Sequence, residues 1–220
     1  MGRPDRLSDL INKILTQEET VIMDKSTIAY YDAHADEYAV KTRYVYMFDT
    51  RSLFLRYLDP DGRILDAGCG GGRDMKIFME NGYIVDAFDA SEEMCRVASE
   101  YTEEDIPCCT FEEWTSRYSY SGIWCCASLL HLQEEEFYAF IEKAAKYLRS
   151  GGVIYFSMKD GITDGYDELG RWYLGFDDAR LEKLLTRCPS LKVAEYWKTE
   201  DNLNRGITWI NVILQLKRGA

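Results

Sequence analysis

Between residues 63 and 74 the chain reads Arg-Ile-Leu-Asp-Ala-Gly-Cys-Gly-Gly-Gly-Arg-Asp, an apolar run that ends in a dense glycine turn and opens onto a helical pattern. Glycine at such a turn adopts positive φ without penalty and lets the backbone approach a ligand closely. A strand, turn and helix in this order belong to an open α/β sheet, where ligands lie beyond the carboxyl ends of the strands. The turn alone leaves dinucleotide, flavin and purely structural roles open. Three details narrow it. Asp66 stands two positions before the first glycine, and the glycines fall at 68, 70 and 72, whereas a dinucleotide fingerprint asks for its third glycine where this chain has Arg73. No Lys-Ser or Lys-Thr pair follows, which excludes a P-loop. The next apolar run, 84–88, is followed by Asp89, at the distance where a carboxylate meets the two hydroxyls of a ribose. Asp89 can also be read as a helix N-cap, a role that Ser91 fits better.

From residue 63 onward, short apolar runs alternate with amphipathic segments, the pattern of a parallel sheet covered by helices on both faces. The predicted strands are 63–67, 84–88, 107–109, 122–127 and 153–158. The clearest helix is 133–149, with Phe137, Phe140, Ile141, Ala144, Ala145 and Leu148 on one stripe, Glu134 to Glu136 in the first turn, Arg149 at the end and Gly151 as its stop. A loop over 161–175 carries Tyr166, Trp172 and Tyr173 and exceeds an ordinary connection. A helix over 177–187 follows, and two β-rich runs, 191–197 and 207–216, pair as an antiparallel hairpin at the sheet edge. Residues 5–58 read as a helical lead-in, with stripes through Leu7, Leu10, Ile11, Ile14 and Leu15, then Ala29 and Ala33, then Leu53, Phe54 and Leu58. Nothing marks a domain boundary, so residues 1–220 are expected to form one domain, with 1–58 as a helical cover on an α/β core of 59–220.

Charge decides between partner classes. With 26 basic and 38 acidic residues the chain carries a net charge of −12 and no basic run, so nucleic acid is not an expected partner. No stretch has the apolar length of a membrane span, and the first residues mix polar with apolar instead of forming a signal peptide core. Seven cysteines, an odd number without the paired short spacings of metal sites, fit a reduced, cytoplasmic setting with no metal. The vicinal pairs Cys108–Cys109 and Cys125–Cys126 read either as thiol sites or, in their apolar runs, as buried strand packing.

The segments DAGCGGGRD, FDAS, GIWCCASLLHL and YLRSGGVIYFSMKDG together resemble the class I S-adenosylmethionine-dependent methyltransferases, most closely a bacterial branch labelled tellurite-resistance-like. The similarity runs from about Tyr30 to the closing WINVILQ. It implies a Rossmann-like α/β fold with a seven-stranded, mostly parallel sheet in the order 3-2-1-4-5-7-6, the last strand antiparallel. S-adenosylmethionine is then the implied cofactor. Gly68, Cys69 and Gly70 would line its methionine moiety, Asp89 its ribose, and Ala90, Ser91 and Met94 its adenine side. The loop holding the adenine maps to Thr110, Phe111 and Glu112. Many relatives have Asp where this chain has Thr110, which leaves the Phe111 N–H and Glu112 as the candidate ring contacts. Tyr31 and Tyr38, on the helical cover, are candidates for the methionine carboxylate or for core packing, and Arg73 either opposes that carboxylate or faces solvent. Asp66, Ala67 and Ala127 complete the implied cofactor set.

Methyl transfer from a sulfonium needs above all a positioned acceptor and excluded water. The strand ends that would face a small-molecule acceptor hold His131, a candidate general base or a packing residue, and Lys159, a candidate site with Arg171 for an anionic acceptor or a surface cation. The competing readings are a cofactor-binding regulator without methyl transfer and a nicotinamide-dependent oxidoreductase, the latter disfavoured by the spacing at Arg73.

Overall fold

The computed structural model describes residues 25–203 and 205–219. The stripe from Leu7 to Leu15 lies outside the described residues. Two helices open the fold, α1 (Lys25–Thr42) and α2 (Phe48–Leu55), and then β1 (Arg63–Ala67), α3 (Arg73–Glu80), β2 (Ile84–Phe88), α4 (Glu92–Thr102) and β3 (Tyr120–Cys125) alternate. A short 3₁₀ turn, Leu129–His131, leads into α5 (Glu134–Lys146) and the long β4 (Leu148–Lys159). The small hairpin of β5 (Gly165–Tyr166) and β6 (Trp172–Tyr173) precedes α6 (Asp178–Arg187), β7 (Leu191–Glu200) and β8 (Thr208–Leu216).

The main sheet has six strands in the order β2-β1-β3-β4-β8-β7. β1 to β4 pair in parallel, and β8 runs antiparallel to both β4 and β7. This is the expected order without its outermost member. The predicted strand 107–109 contributes a single bridge, Asp89 with Cys108. Pro107 has no N–H to donate to a ladder, so pairing stops almost where it starts. As a result Cys108 is exposed instead of packed, while Cys125 is buried in the core.

Side chains alternate across the central strands, as the period of two requires. Leu65, Ile123, Ile154 and Phe156 face a core shared with Phe137, Phe140 and Ile141 of α5. Ile64, Trp124 and Tyr155 face the other, where Phe54 of α2 and Phe78 of α3 close over them. Trp124 and Tyr155 stack with centroids 4.0 Å apart, and Phe54 stands edge-on to Trp124 at 5.0 Å. Gly122 is required beneath that ring, because a Cβ there would sit 2.4 Å from the Phe54 ring carbon Cζ. The helical cover is broken by residues 43–47. α1 lies over α4 through Ala35, Ala39, Met94 and Val97, and a Cβ on Gly71 would come within 2.7 Å of the Ala39 Cβ.

Two boundaries differ from the periodic reading. The helix expected to run to 149 ends at Lys146, capped by Tyr147, and Arg149 already belongs to β4. Gly151, expected as a helix stop, lies inside that strand at φ 79°. The strand expected to reach Ala127 ends at Cys125, because Ala127 turns to φ 52° and donates its N–H to Ser157 Oγ at 2.8 Å. Among the described residues no helix is long and apolar enough to cross a membrane.

The sheet registers decide what gathers at its carboxyl edge. Ala67 pairs with Phe88 and Cys125 with Phe156, so the residues just beyond these strands emerge side by side. Because β8 enters from that same edge, Lys159 lies opposite Trp209, and residues 201–203 and 205–207 lie at that edge as well.

Removing the Phe54 ring leaves a void between three aromatic neighbours that cannot collapse onto it. Phe54→Ala is expected to lower unfolding free energy by about 3 to 5 kcal/mol, read as a lower urea midpoint at unchanged slope.

Candidate active site

A cavity of about 280 Å³ runs along the carboxyl edge, from Asp89 and the glycine turn at one end to Lys159, Arg205 and Trp209 at the other. At the first end Gly68, Gly70 and Gly72 all have positive φ, at 72°, 54° and 77°. Gly68 and Cys69 donate their N–H groups to the Phe88 carbonyl at 2.9 and 3.0 Å, tying the turn to β2. A Cβ on Gly68 would meet that of Ser128 at 2.6 Å, and one on Gly72 would meet Thr102. Gly70 is different. No atom lies within 4 Å of where its Cβ would be, so its bare backbone borders open cavity.

The Asp89 carboxylate accepts the Gly70 N–H at 2.8 Å on one oxygen and the Ser91 N–H at 3.0 Å on the other. Burial raises its pKa, opposed by these backbone donors. Each carboxylate oxygen has two acceptor sites, so each retains one for a ligand hydroxyl. Ala90, Met94 and Phe111 complete this end of the lining.

Four residues of the expected cofactor set do not line the cavity. The Ala67 carbonyl accepts the Ser128 hydroxyl at 2.7 Å. Ser91 caps α4 by accepting the Met94 N–H and donates its hydroxyl to Asp32 at 2.6 Å. Thr110 gives its N–H and hydroxyl to Glu113 at 2.9 and 3.0 Å, and Glu112 points outward with its carbonyl held by Lys143. Glu113 is thus the acid that organises this loop.

Below the turn, Asp74 accepts from Arg51 at 2.7 Å, from Arg73 at 3.0 and 2.6 Å, and from the Trp124 indole at 3.0 Å. Burial pushes its carboxyl up, yet the two arginines outweigh this and hold it at about 2. Burial, then the Asp74 charge, drives Asp66 well above the usual carboxylate range, favouring its neutral form. Two guanidiniums against one firmly ionised carboxylate leave a positive surplus where Arg73 meets the cavity.

In the middle stand Tyr31, Tyr38 and His131. His131 Nδ1 lies 2.7 Å from the Trp172 carbonyl, which can only accept, so Nδ1 carries the hydrogen. Nε2 is then bare and accepts the Tyr31 hydroxyl at 2.8 Å. Burial, aided by the charges of Arg171 and Lys159, lowers the His131 pKa to about 4 despite the Trp172 bond. Burial likewise pushes the Tyr31 and Tyr38 hydroxyls up, so both stay protonated.

At the far end Lys159 Nζ rests 3.5 Å from the Tyr173 ring centroid, and burial, then Arg171 and Arg205, lowers its pKa to about 8. Arg171 is held by Asp167 and Arg205 by Asp201, which also accepts the Trp209 indole at 3.1 Å. Tyr155 donates to the Asn211 side chain at 2.8 Å. Sequence reasoning passed over Asp201, Arg205, Tyr155 and Asn211. Only Asn211 left a trace there, as a polar residue inside the apolar run Trp-Ile-Asn-Val-Ile-Leu.

Residues 64–152 match the family model described as a methyltransferase domain. The chain is 30% identical over 102 residues to the ubiquinone biosynthesis O-methyltransferase of Idiomarina loihiensis, a segment covering 43% of this chain and 41% of that enzyme. The chain thus spans under half the length of the curated relative it matches. Among solved structures, 1,6-didemethyltoxoflavin-N1-methyltransferase of Burkholderia thailandensis, with bound 1,6-didemethyltoxoflavin and S-adenosylhomocysteine, superposes at a TM-score of 0.67 with 18% identity, covering 99% of this chain and 92% of that one. The fold is that of a class I methyltransferase. Magnesium protoporphyrin IX methyltransferase from Synechocystis PCC 6803, with bound S-adenosylmethionine, gives a TM-score of 0.61 at 18% identity, covering 90% and 100%. A [4+2]-cyclase gives 0.67 at 14% identity, covering 86% and 94%.

Folding lowers the His131 pKa from its ordinary 6.5, so the unfolded chain takes up the proton first. The stability contributed by the neutral ring is whole above pH 6.5 and is lost as pH falls from there through about 4. An NMR titration, with the His131 signal assigned by its loss in His131→Asn, should show the imidazole neutral down to about pH 4. A midpoint near 6.5 would contradict the burial and tautomer described.

Proposed function

We propose that the chain binds S-adenosylmethionine along the carboxyl edge of the sheet and transfers its methyl group to a small-molecule acceptor. The observation that carries this reading is the pairing of Asp89 with Gly70. A buried carboxylate with one acceptor site left on each oxygen suits a vicinal diol, and the bare Gly70 backbone leaves room for the chain of atoms beyond the ribose. The positive surplus around Arg73, with Tyr38 and Thr42 beside it, suits an amino-acid carboxylate. The methyltransferase-domain match over 64–152 contains both Gly70 and Asp89 and supports the same reading.

When bound, S-adenosylmethionine supplies a methyl group activated on a positively charged sulfur. The chain supplies position and dryness. Tyr31, Tyr173 and Trp209 wall the acceptor end, and the β5–β6 hairpin is latched to α1 by the Trp172 N–H on the buried Thr27 hydroxyl at 2.8 Å. Lys159 and the Tyr31–His131 pair are the groups that touch the acceptor. A proton leaving the acceptor passes to the Tyr31 oxygen as Tyr31 gives its own to His131 Nε2, which is neutral and bare at physiological pH.

The charge of −12 and a cavity of about 280 Å³ favour a small molecule over nucleic acid. Seven free thiols favour the cytoplasm, and continuous packing of α1 on α4 favours one domain. The tellurite-resistance-like resemblance rests on the motif segments alone and carries no acceptor with it. A second reading is cofactor binding without methyl transfer; a [4+2]-cyclase with a similar fold supports only that the fold also carries other chemistry.

Asp89→Ala and Gly70→Val are expected to weaken S-adenosylhomocysteine binding by about tenfold or more, measured by calorimetry on ligand-stripped protein, with the thermal midpoint of each variant reporting its folding. Unchanged affinity in both variants would remove the reading. Acceptor-dependent release of S-adenosylhomocysteine separates the enzyme from the silent binder, and His131→Asn should slow that release by about a hundredfold while sparing cofactor affinity.

A further inference from the structure

The end of the cavity remote from Asp89 has a charge arrangement that the proposed cofactor does not use. Three cations, Lys159, Arg171 and Arg205, line it together. Arg171 is matched by Asp167 through bonds of 2.9 and 2.6 Å, and Arg205 by Asp201 through bonds of 2.9 and 2.6 Å. These two pairs cancel. Lys159 makes no ion pair with a carboxylate among the described residues, and the adjacent Asp160 accepts from Lys198 at 2.6 Å. Its ammonium instead rests on the face of Tyr173, 3.5 Å from the ring centroid.

A half-buried ammonium that rests on an aromatic face, with the Asp167 and Asp201 carboxylates turned to their own arginines, is costly to leave without an ion pair. Glu200 lines this end too, with no ion pair to Lys159 among the described residues, so the ammonium is the group there that an anion can pair with. The walls around it are broad and flat: Tyr173 beneath the ammonium, Trp209 directly opposite Lys159 in the β4–β8 register, and Tyr31 toward His131. The Trp209 indole N–H is already engaged by Asp201, so this ring offers the site its apolar surface. On the reading above, the amino-acid carboxylate of the cofactor lies beside Arg73 and leaves Lys159 free.

We infer that the methyl acceptor is a small organic carboxylate with a flat, apolar body, its carboxylate paired with Lys159 and its body lying against Trp209. This rests on the methyl-transfer reading above and names the chemical class that reading left open.

The test uses calorimetry on the full chain saturated with S-adenosylhomocysteine, with matched acid and amide probes: salicylate and salicylamide, cinnamate and cinnamamide, indoleacetate and indoleacetamide. At least one acid should bind about tenfold or more tightly than its amide. That preference should persist in Lys159→Arg and vanish in Lys159→Met, with the thermal midpoint of each variant reporting its folding. Loss of a merely structural lysine would not erase discrimination between an acid and its amide. Amides that bind as well as acids, a preference that survives Lys159→Met, or no heat from any acid on protein that binds S-adenosylhomocysteine would each overturn the inference. Absence of heat from S-adenosylhomocysteine itself would instead strike the cofactor reading, so the two failures are distinguishable.

Discussion

One hydrogen bond joins the two halves of the candidate site: the Gly70 N–H on the Asp89 carboxylate, 2.8 Å long. It exists because β1 and β2 pair in register, Ala67 beside Phe88, so that the turn after one strand and the acid after the other emerge together. The carboxylate is buried and would be costly there without donors. The Gly70 and Ser91 N–H groups provide them, and in doing so aim the unused acceptor sites at the cavity. Gly70 serves twice, since its positive φ turns the N–H toward Asp89 and its missing side chain keeps the space beyond it open.

The antiparallel β8 gives the fold its second working surface. A sheet of parallel strands alone would present only loops from β1 to β4 at its carboxyl edge. Reversing β8 brings the β7–β8 turn to that edge, and with it Asp201, Arg205 and Trp209. The cavity therefore has a nucleoside-like end built from strand order and an acceptor end built from a hairpin. Loops that vary on a fixed scaffold are where such folds change substrate, and both charged pairs at the acceptor end, Asp167 with Arg171 and Asp201 with Arg205, lie in loops or at a hairpin.

Much of the scaffold was legible in the residues because doubly covered parallel strands write themselves as short apolar runs that stop at glycine or aspartate. β1 and β2 emerge with the bounds read from the sequence, and the last two strands pair as the predicted hairpin. The segment 107–109 looked similar, but Pro107 withholds a donor and only the Asp89–Cys108 bridge forms. The end of α5 was overrun because Leu148 continues its apolar stripe while serving as the first residue of β4. At the site, the glycines and Asp89 could be read from local spacing. The Tyr31–His131 bond joins positions a hundred residues apart and had no local signal, whereas Arg171 and Arg205 are each neutralised by an aspartate four residues earlier, a spacing that shows in the sequence but becomes a pair only through the loop's turn.

The most direct test of the central claim is a crystal structure of the chain with S-adenosylhomocysteine. Both ribose hydroxyls are expected within hydrogen-bond distance of the Asp89 carboxylate, with the ligand backbone crossing Gly70. A nucleoside bound anywhere else, or a ribose turned away from Asp89, would contradict it.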